Sequence, residues 1–358
     1  MDAAAMVSLL RDLVEMESPT GHAGVRAVAE RMAAELDALG AEVRLDGDHV
    51  CAELPGAGRP LLLLGHTDTV WRVGTLAEMP FRIVDGVAFG PGVYDMKAGL
   101  AIIVAGLQRA GRSRRSVRVF LTADEEQGSR TARTLLEDAA EDVDAAFVLE
   151  PALPRGGVKT ARKGLGRFRL DVTGRAAHSG TGPQEGASAI EELARQVIRL
   201  HELNDVEHGI SVNVGVIEGG TVANVVAAEA HAQIDVRVTD AAAVSRIEQA
   251  LSALEASVPG TSLELSGGWT RPPLERSEGA ARLFAAARRH GRALGLEIDE
   301  GSSGGGSDGN LVGALGVPVL DGLGPRGGGA HARDEHVIVA SLAERAGLLA
   351  RLLCEPGL

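Results

Sequence analysis

Apolar residues recur along this chain in two rhythms. Short dense runs, at Leu61 to Leu64, at Val117, Val119, Phe120 and Leu121, and from Val143 to Leu149, have the character of strands buried in a central sheet. Between them the spacing turns helical. Residues 3–16 place Met6, Leu10, Leu13 and Val14 on one face, and a second helix is expected over 22–39, with Gly40 just past its end. Helices are also expected over 98–110, 278–295 and 339–353. Glu42 to Glu53 reads as two strands turning at Asp46-Gly47-Asp48, and Val317 to Leu320 as a last strand. The pattern predicts an α/β domain in which helices flank a sheet.

From residue 164 to 268 the character changes. Arg167 to Val172 alternates as a half-exposed strand should. Helices over 184–203 and 241–257, with strands near 210–217, 229–238 and 261–266, complete a βαββαβ order. That is the ferredoxin-like pattern. It interrupts the α/β pattern, which resumes at Arg271-Pro272-Pro273. Residues 165–270 are therefore expected to be an inserted domain, and residues 1–164 and 271–358 the two parts of a discontinuous one. The Gly/Ser run from Gly301 to Gly309 resembles a linker, but apolar pattern resumes at once on both sides, so a substrate-facing loop is expected there.

Composition narrows the class. With 358 residues, 45% hydrophobic and 24% charged, the chain is long enough for two globular domains. A net charge of −13 without a basic stripe argues against nucleic acid as a partner. No run of about 18 apolar residues occurs, so no membrane span is expected. The first turns carry Asp2, Arg11 and Asp12 rather than a signal peptide's apolar core. Only Cys51 and Cys354 occur, which indicates no disulfide framework and fits a reducing, cytoplasmic setting.

The candidate chemistry gathers where the dense apolar runs end. Val117 to Leu121 runs into Asp124, Glu125 and Glu126, like charges that need something positive to offset them. A solvated acidic turn would look the same in isolation. Leu61 to Leu64 runs into Gly65-His66-Thr67-Asp68, and side chains two apart on an extended backbone point the same way. That suits an imidazole ligand with a carboxylate to orient it, although a structural histidine fits equally. Asp95 precedes the helix at 98–110, where it is either a helix cap or a carboxylate held beside the other acids. Glu150 closes the strand at 143–149, and His331 follows a glycine run. Ligand sites in α/β sheets lie beyond the carboxyl ends of the strands.

Taken together and in this order, these residues resemble the zinc peptidase family that holds glutamate carboxypeptidase, acetylornithine deacetylase, succinyl-diaminopimelate desuccinylase and aminoacylase. The resemblance rests on HTDTV at 66–70, GPGVYDMKAG at 90–99, DEEQGS at 124–129, LEP at 149–151, GRAAHSG at 174–180, ANVV at 223–226, GGGSDGN at 304–310 and GGGAH at 327–331. It covers essentially the whole chain and looks strongest toward the glutamate carboxypeptidase branch. It implies a catalytic domain with a mixed central sheet and an inserted domain that serves as dimerisation and lid module.

The resemblance further implies two Zn²⁺ ions, for which Co²⁺ or Mn²⁺ can substitute. Asp95 would bridge them, with His66 and Glu150 completing one site and Glu126 and His331 the other. Glu125 would be the general base and Asp68 the partner of His66. The Asp95–Met96 peptide would be cis. Three carboxylates take up most of the charge of two zinc ions, so a substrate carboxylate needs donors of its own. The resemblance points to His178, Asn224, Arg237 and Arg271 for this, with His178 and Asn224 reaching across a homodimer interface. The substrate would be a small peptide or an N-acyl amino acid. Glu150 stands where aminopeptidase relatives carry Asp, which favours carboxypeptidase or deacylase chemistry. Arg155, Lys159, Arg162 and Lys163 precede the inserted domain; one of them could read an acidic side chain, and a solvated basic edge explains them as well. An N-acyl-amino-acid deacylase is the alternative reading. A non-catalytic metal-binding homologue is a remoter one, opposed by the intact Glu125 and Asp68. A dinucleotide-dependent oxidoreductase finds no GxGxxG after the first strand.

Overall fold

The computed structural model describes residues 1–357, which form two compact units. Of the described residues, one comprises 1–161, 275–303 and 307–357, and the other 162–274 with 304–306.

In the first unit, helices α1 (Ala3–Glu15) and α2 (Ala23–Asp37) precede strands β1 (Glu42–Asp46), β2 (His49–Leu54) and β3 (Ala57–His66). Helix α3 (Ala98–Ala110), β4 (Arg115–Thr122) and β5 (Ala145–Val148) follow. The sheet is mixed: β1, β2 and β4 pair antiparallel, while β3 runs parallel to both β4 and β5. Leu61, Leu62, Leu63 and Leu64 are no more than 1% exposed, which explains why both faces of β3 read apolar. Register decides what the sheet presents. Leu61 pairs with Val117 and with Ala145, so β3, β4 and β5 advance in step and end together. His66, the acids after Thr122, and Glu150 therefore leave the sheet at one edge.

The second unit contains β6 (Gly164–Thr173), α4 (Ala189–His201), β7 (Ser211–Gly219), β8 (Glu229–Val238), α5 (Ala241–Ser252) and β9 (Ser262–Arg271). Its sheet runs β7-β8-β6-β9, antiparallel throughout, which is the ferredoxin-like strand order. Helix α5 stops at Ser252, short of the expected 257. Glu192 of α4 explains this: its carboxylate accepts from the Ser257 N–H at 2.8 Å and the Val258 N–H at 2.5 Å, drawing that segment out of helical geometry.

The chain then returns to the first unit through α6 (Glu278–Ala293), α7 (Asp308–Ala314), β10 (Val319–Leu320) and α8 (Val339–Leu353). The Gly/Ser run is more ordered than a loop. Glu300–Ser303 is a short strand, and Ser307 caps α7, its hydroxyl accepting from the Gly309 N–H at 3.1 Å while the Asn310 side-chain oxygen accepts from the Ser307 N–H at 2.9 Å. Short strands at Arg82–Val84, Val87–Phe89, Gly327–Gly328 and His336–Ile338 form a further small sheet that the sequence pattern does not announce. Among the described residues no helix is long and apolar enough to cross a membrane.

Candidate active site

Asp95 sits in the tight turn Val93–Lys97, and the Asp95–Met96 peptide is cis, as the resemblance implies. Asp95 is not the cap of α3, which begins beyond Lys97. That helix reaches the sheet edge because Gly99 has no side chain: a Cβ there would lie 2.2 Å from the Leu149 carbonyl oxygen. The turn is held from below by a buried carboxylate. Glu335 accepts from the backbone N–H groups of Gly92 (2.8 Å), Tyr94 (2.9 Å) and Asp95 (3.0 Å), and from the indole of Trp71 (2.7 Å). Burial pushes the Glu335 carboxyl up despite these donors.

The Asp95 carboxylate lies between two imidazoles. Its Oδ1 is 3.2 Å from His66 Nε2, and its Oδ2 is 3.3 Å from His331 Nε2. Glu150 stands on the His66 side at 3.5 Å, and Glu126 on the His331 side at 3.3 Å. Ligand-type atoms of His66, Asp95 and Glu126 all fall within 4.8 Å of one another. The five candidate ligands thus sort into two groups that share Asp95.

His66 is 1% exposed, and its tautomer is set by its neighbours. Nδ1 lies 2.9 Å from the Asp68 carbonyl, which can only accept, so Nδ1 carries a proton and Nε2 is the atom turned toward Asp95 and Glu150. The Asp68 carboxylate accepts from the N–H groups of Glu125 (3.1 Å) and Glu126 (3.2 Å) and from the Thr20 hydroxyl (2.7 Å). Asp68 therefore holds both the His66 imidazole and the turn that carries the two glutamates. Asp124, first of the three acids, faces elsewhere and accepts from the Thr131 backbone and hydroxyl.

The electrostatics fit a place for cations. Glu126 is pushed up, first by burial and then by Asp95, and its Oε1 is buried with no hydrogen-bond partner among the described residues. Desolvation works against ionising the part-buried Asp95, yet the flanking histidines, His331 foremost, hold its carboxyl well below the usual range. Asp95 and Glu126 in turn raise His331 to about 10. Burial disfavours a charged His66, but Asp68, Asp95 and Glu150 outweigh it and raise that ring too. Without a cation the acids are balanced by protons on imidazole, which a divalent ion would displace.

In the second unit His178 and Asn224 are brought together. The Asn224 carbonyl accepts from the Ser179 N–H at 3.0 Å, and both residues are exposed. His178 Nδ1 accepts from Gly180 and Thr181, which leaves the proton on Nε2 as a free-facing donor. Arg237 is engaged by Asp235 at 2.7 and 3.1 Å, and Arg271 is buried. The cations before the insertion differ in their surroundings. Arg155 is exposed, Lys159 is buried, and the Arg162 guanidinium donates to the Gly305 and Gly306 carbonyls.

Comparison with known proteins follows the same lines. The profile of the peptidase family M20/M25/M40 matches residues 62–355. Carboxypeptidase G2 of Pseudomonas sp. (strain RS-16) is 30% identical over 99% of this chain and 89% of its own length. Succinyl-diaminopimelate desuccinylase of Xanthomonas oryzae pv. oryzae is 30% identical over 80% of this chain and 81% of its own. The fold of a dinuclear metal-binding peptidase of the M20 family from Bacillus subtilis superposes with a TM-score of 0.73 at 17% identity, covering 98% of this chain and 97% of the other. Matched along nearly all of its length, the chain belongs to the M20/M25/M40 peptidases, a metal-dependent family that hydrolyses peptide and related amide bonds.

Proposed function

We propose that this protein is a dizinc hydrolase of carboxypeptidase type, releasing a C-terminal or N-acylated amino acid, glutamate-like residues foremost, in the cytoplasm. The observation that carries the reading is the Asp95 carboxylate set between His66 and His331, with Glu150 and Glu126 on its two flanks. Mixed imidazole and carboxylate donors suit zinc, and would also accept cobalt or manganese. His66, Asp95 and Glu150 would hold one ion and His331, Asp95 and Glu126 the other. Bound there, two ions make a water acidic enough to act as nucleophile near neutral pH.

The chain's own groups do the rest. Glu125, fixed through its backbone N–H by Asp68, takes the proton from the attacking water and returns it to the departing nitrogen. Asp68, through its carbonyl at His66 Nδ1, would keep Nε2 available to an ion. His178 and Asn224 donate to the oxygen that gains charge, and Arg237 and Arg271 hold the substrate carboxylate. In this proposal the inserted domain pairs two chains as a homodimer. The desuccinylase relative supports a second reading, an N-acyl-amino-acid deacylase that uses the same groups.

The test is amine release after zinc reconstitution, from peptides ending in glutamate and other residues and from N-acetyl and N-succinyl amino acids, with metal analysis alongside. The expected result is about two equivalents of metal and the fastest turnover on C-terminal glutamate. Turnover only on N-acyl substrates would select the deacylase, and absence of amine release from a fully loaded protein would refute both.

A further inference from the structure

Arg345 of α8 is 2% exposed and has no carboxylate within ion-pair distance among the described residues. Its Nη2 donates to the Gly156 carbonyl, while its Nη1 is buried with no partner among those residues. An unpaired buried charge is costly and calls for an anion. Burial and the nearby Arg326 push the guanidinium down to about 10, against the smaller pull of Glu344 and Tyr94.

Arg345 forms part of the wall of a cleft of about 280 Å³, which Arg155 and Arg326 also line. Two carboxylates stand at the same cleft. Glu344 is taken up by Arg326 at 3.0 and 3.2 Å, and Glu297 is exposed. Gly156 gives the cleft its depth: with φ at +91°, a Cβ there would lie 3.0 Å from Arg326 Cδ and 3.2 Å from Arg345 Nη2. Arg155 is itself held at φ +64°, a region that non-glycine residues seldom occupy. In a chain of net charge −13, three guanidinium groups thus line one cleft with a single carboxylate pair among them. Guanidinium groups match oxyanions through paired N–H donors. At roughly 30 Å³ per water molecule, the space exceeds a bare ion and admits a small esterified one.

We propose that this cleft binds a small oxyanion of the phosphate class, held by Arg155 and Arg345 while Arg326 stays paired with Glu344. Free phosphate and a phosphate monoester share this chemistry. The cleft also adjoins the segment leading back to Glu150. Gly156 donates to the Leu153 carbonyl, and the Tyr94 hydroxyl donates to the Ala152 carbonyl at 3.1 Å, so occupancy would firm the backbone between Glu150 and Gly157.

Thermal unfolding of the full chain tests this, with inorganic phosphate and glycerol 3-phosphate replacing chloride in separate series at constant ionic strength. The expected result is a saturable rise in Tm of roughly 2 °C at ten times the half-saturating concentration. The rise should persist in Glu126→Gln, where the candidate cation place is disabled, and vanish in Arg155→Ala, a change at an exposed position. Tighter saturation by the ester identifies the ester as the natural form, and tighter saturation by phosphate the free ion. The proposal is overturned by an equal rise in Arg155→Ala, by loss of the rise in Glu126→Gln, by no rise, or by one that grows without saturating as general salt effects do.

Discussion

Asp68 shows how single residues do more than their motif announces. Its carbonyl fixes the His66 tautomer, and its carboxylate holds two N–H groups that are 57 and 58 residues away in the chain. Glu125 and Glu126 are thereby presented from one turn with different surroundings, and their substitutions should separate. Glu125→Gln is expected to keep its metal while kcat falls about 100-fold or more. Glu126→Gln should instead lose metal, as read by elemental analysis beside steady-state rates; the opposite pattern would exchange the two roles. Glu335 is expected to matter without touching a cation. In Glu335→Ala three backbone donors of the Asp95 turn lose their acceptor, and zinc affinity in chelator competition should weaken about 10–100-fold, the usual cost of removing a ligand's support. An unchanged affinity would leave Glu335 a purely structural acid. Candidate ligands were legible in the sequence because each stands at an odd place for a charge. Glu335 was not, because an acid four residues after His331 looks like ordinary surface. Its role shows in the three N–H groups of Gly92, Tyr94 and Asp95 that converge on it, which sequence cannot reveal.

At the scale of elements, dense apolar runs and alternation carried most of the assignment, and departures come from side chains that capture backbone. Glu192 is the clearest case. It is fully buried and accepts from Ser257, Val258 and Gln196, with the Thr261 hydroxyl nearby. Burial pushes its carboxyl up, but those donors outweigh burial and hold it below its ordinary value. A group with a lowered folded pKa stabilises the fold above the unfolded value of about 4.3, and loses that contribution as pH falls through the folded value. Glu192→Ala should cost about 2–3 kcal/mol in urea unfolding at pH 7. The difference from wild type should shrink as unfolding is repeated below pH 4; a difference independent of pH would assign the cost to packing alone. Helix periodicity over 241–257 could not foresee this capture, since the competing acceptor sits on another helix. The small sheet built on Gly327–Gly328 was hidden for a different reason: strands of two or three residues carry too little alternation to register.

At the scale of the molecule, the proposed substrate is anionic and the chain is acidic, so recognition would rest on a few well-placed cations and donors. Assembly is where this proposal is most exposed. If His178 and Asn224 serve the centre of a partner chain, mixing inactive His178→Ala chains with inactive Glu125→Gln chains should restore part of the activity, because one of the two sites in each mixed dimer is intact. Verified heterodimers without recovery would confine the site to one chain. The homodimer is expected only through family resemblance, because a pairing surface leaves no periodic mark in sequence. The aligned strand ends also have a consequence for biosynthesis. His66, Asp95 and Glu150 are all synthesised before the inserted domain begins, whereas His331 follows Glu150 by 181 positions, the difference between 331 and 150. At roughly 5–20 residues per second, that interval lasts about 9–36 seconds. A nascent chain therefore has the complete donor set of the first candidate cation place long before the second. The donor sets of the two candidate places are thus completed one after the other, the later one only when His331 emerges.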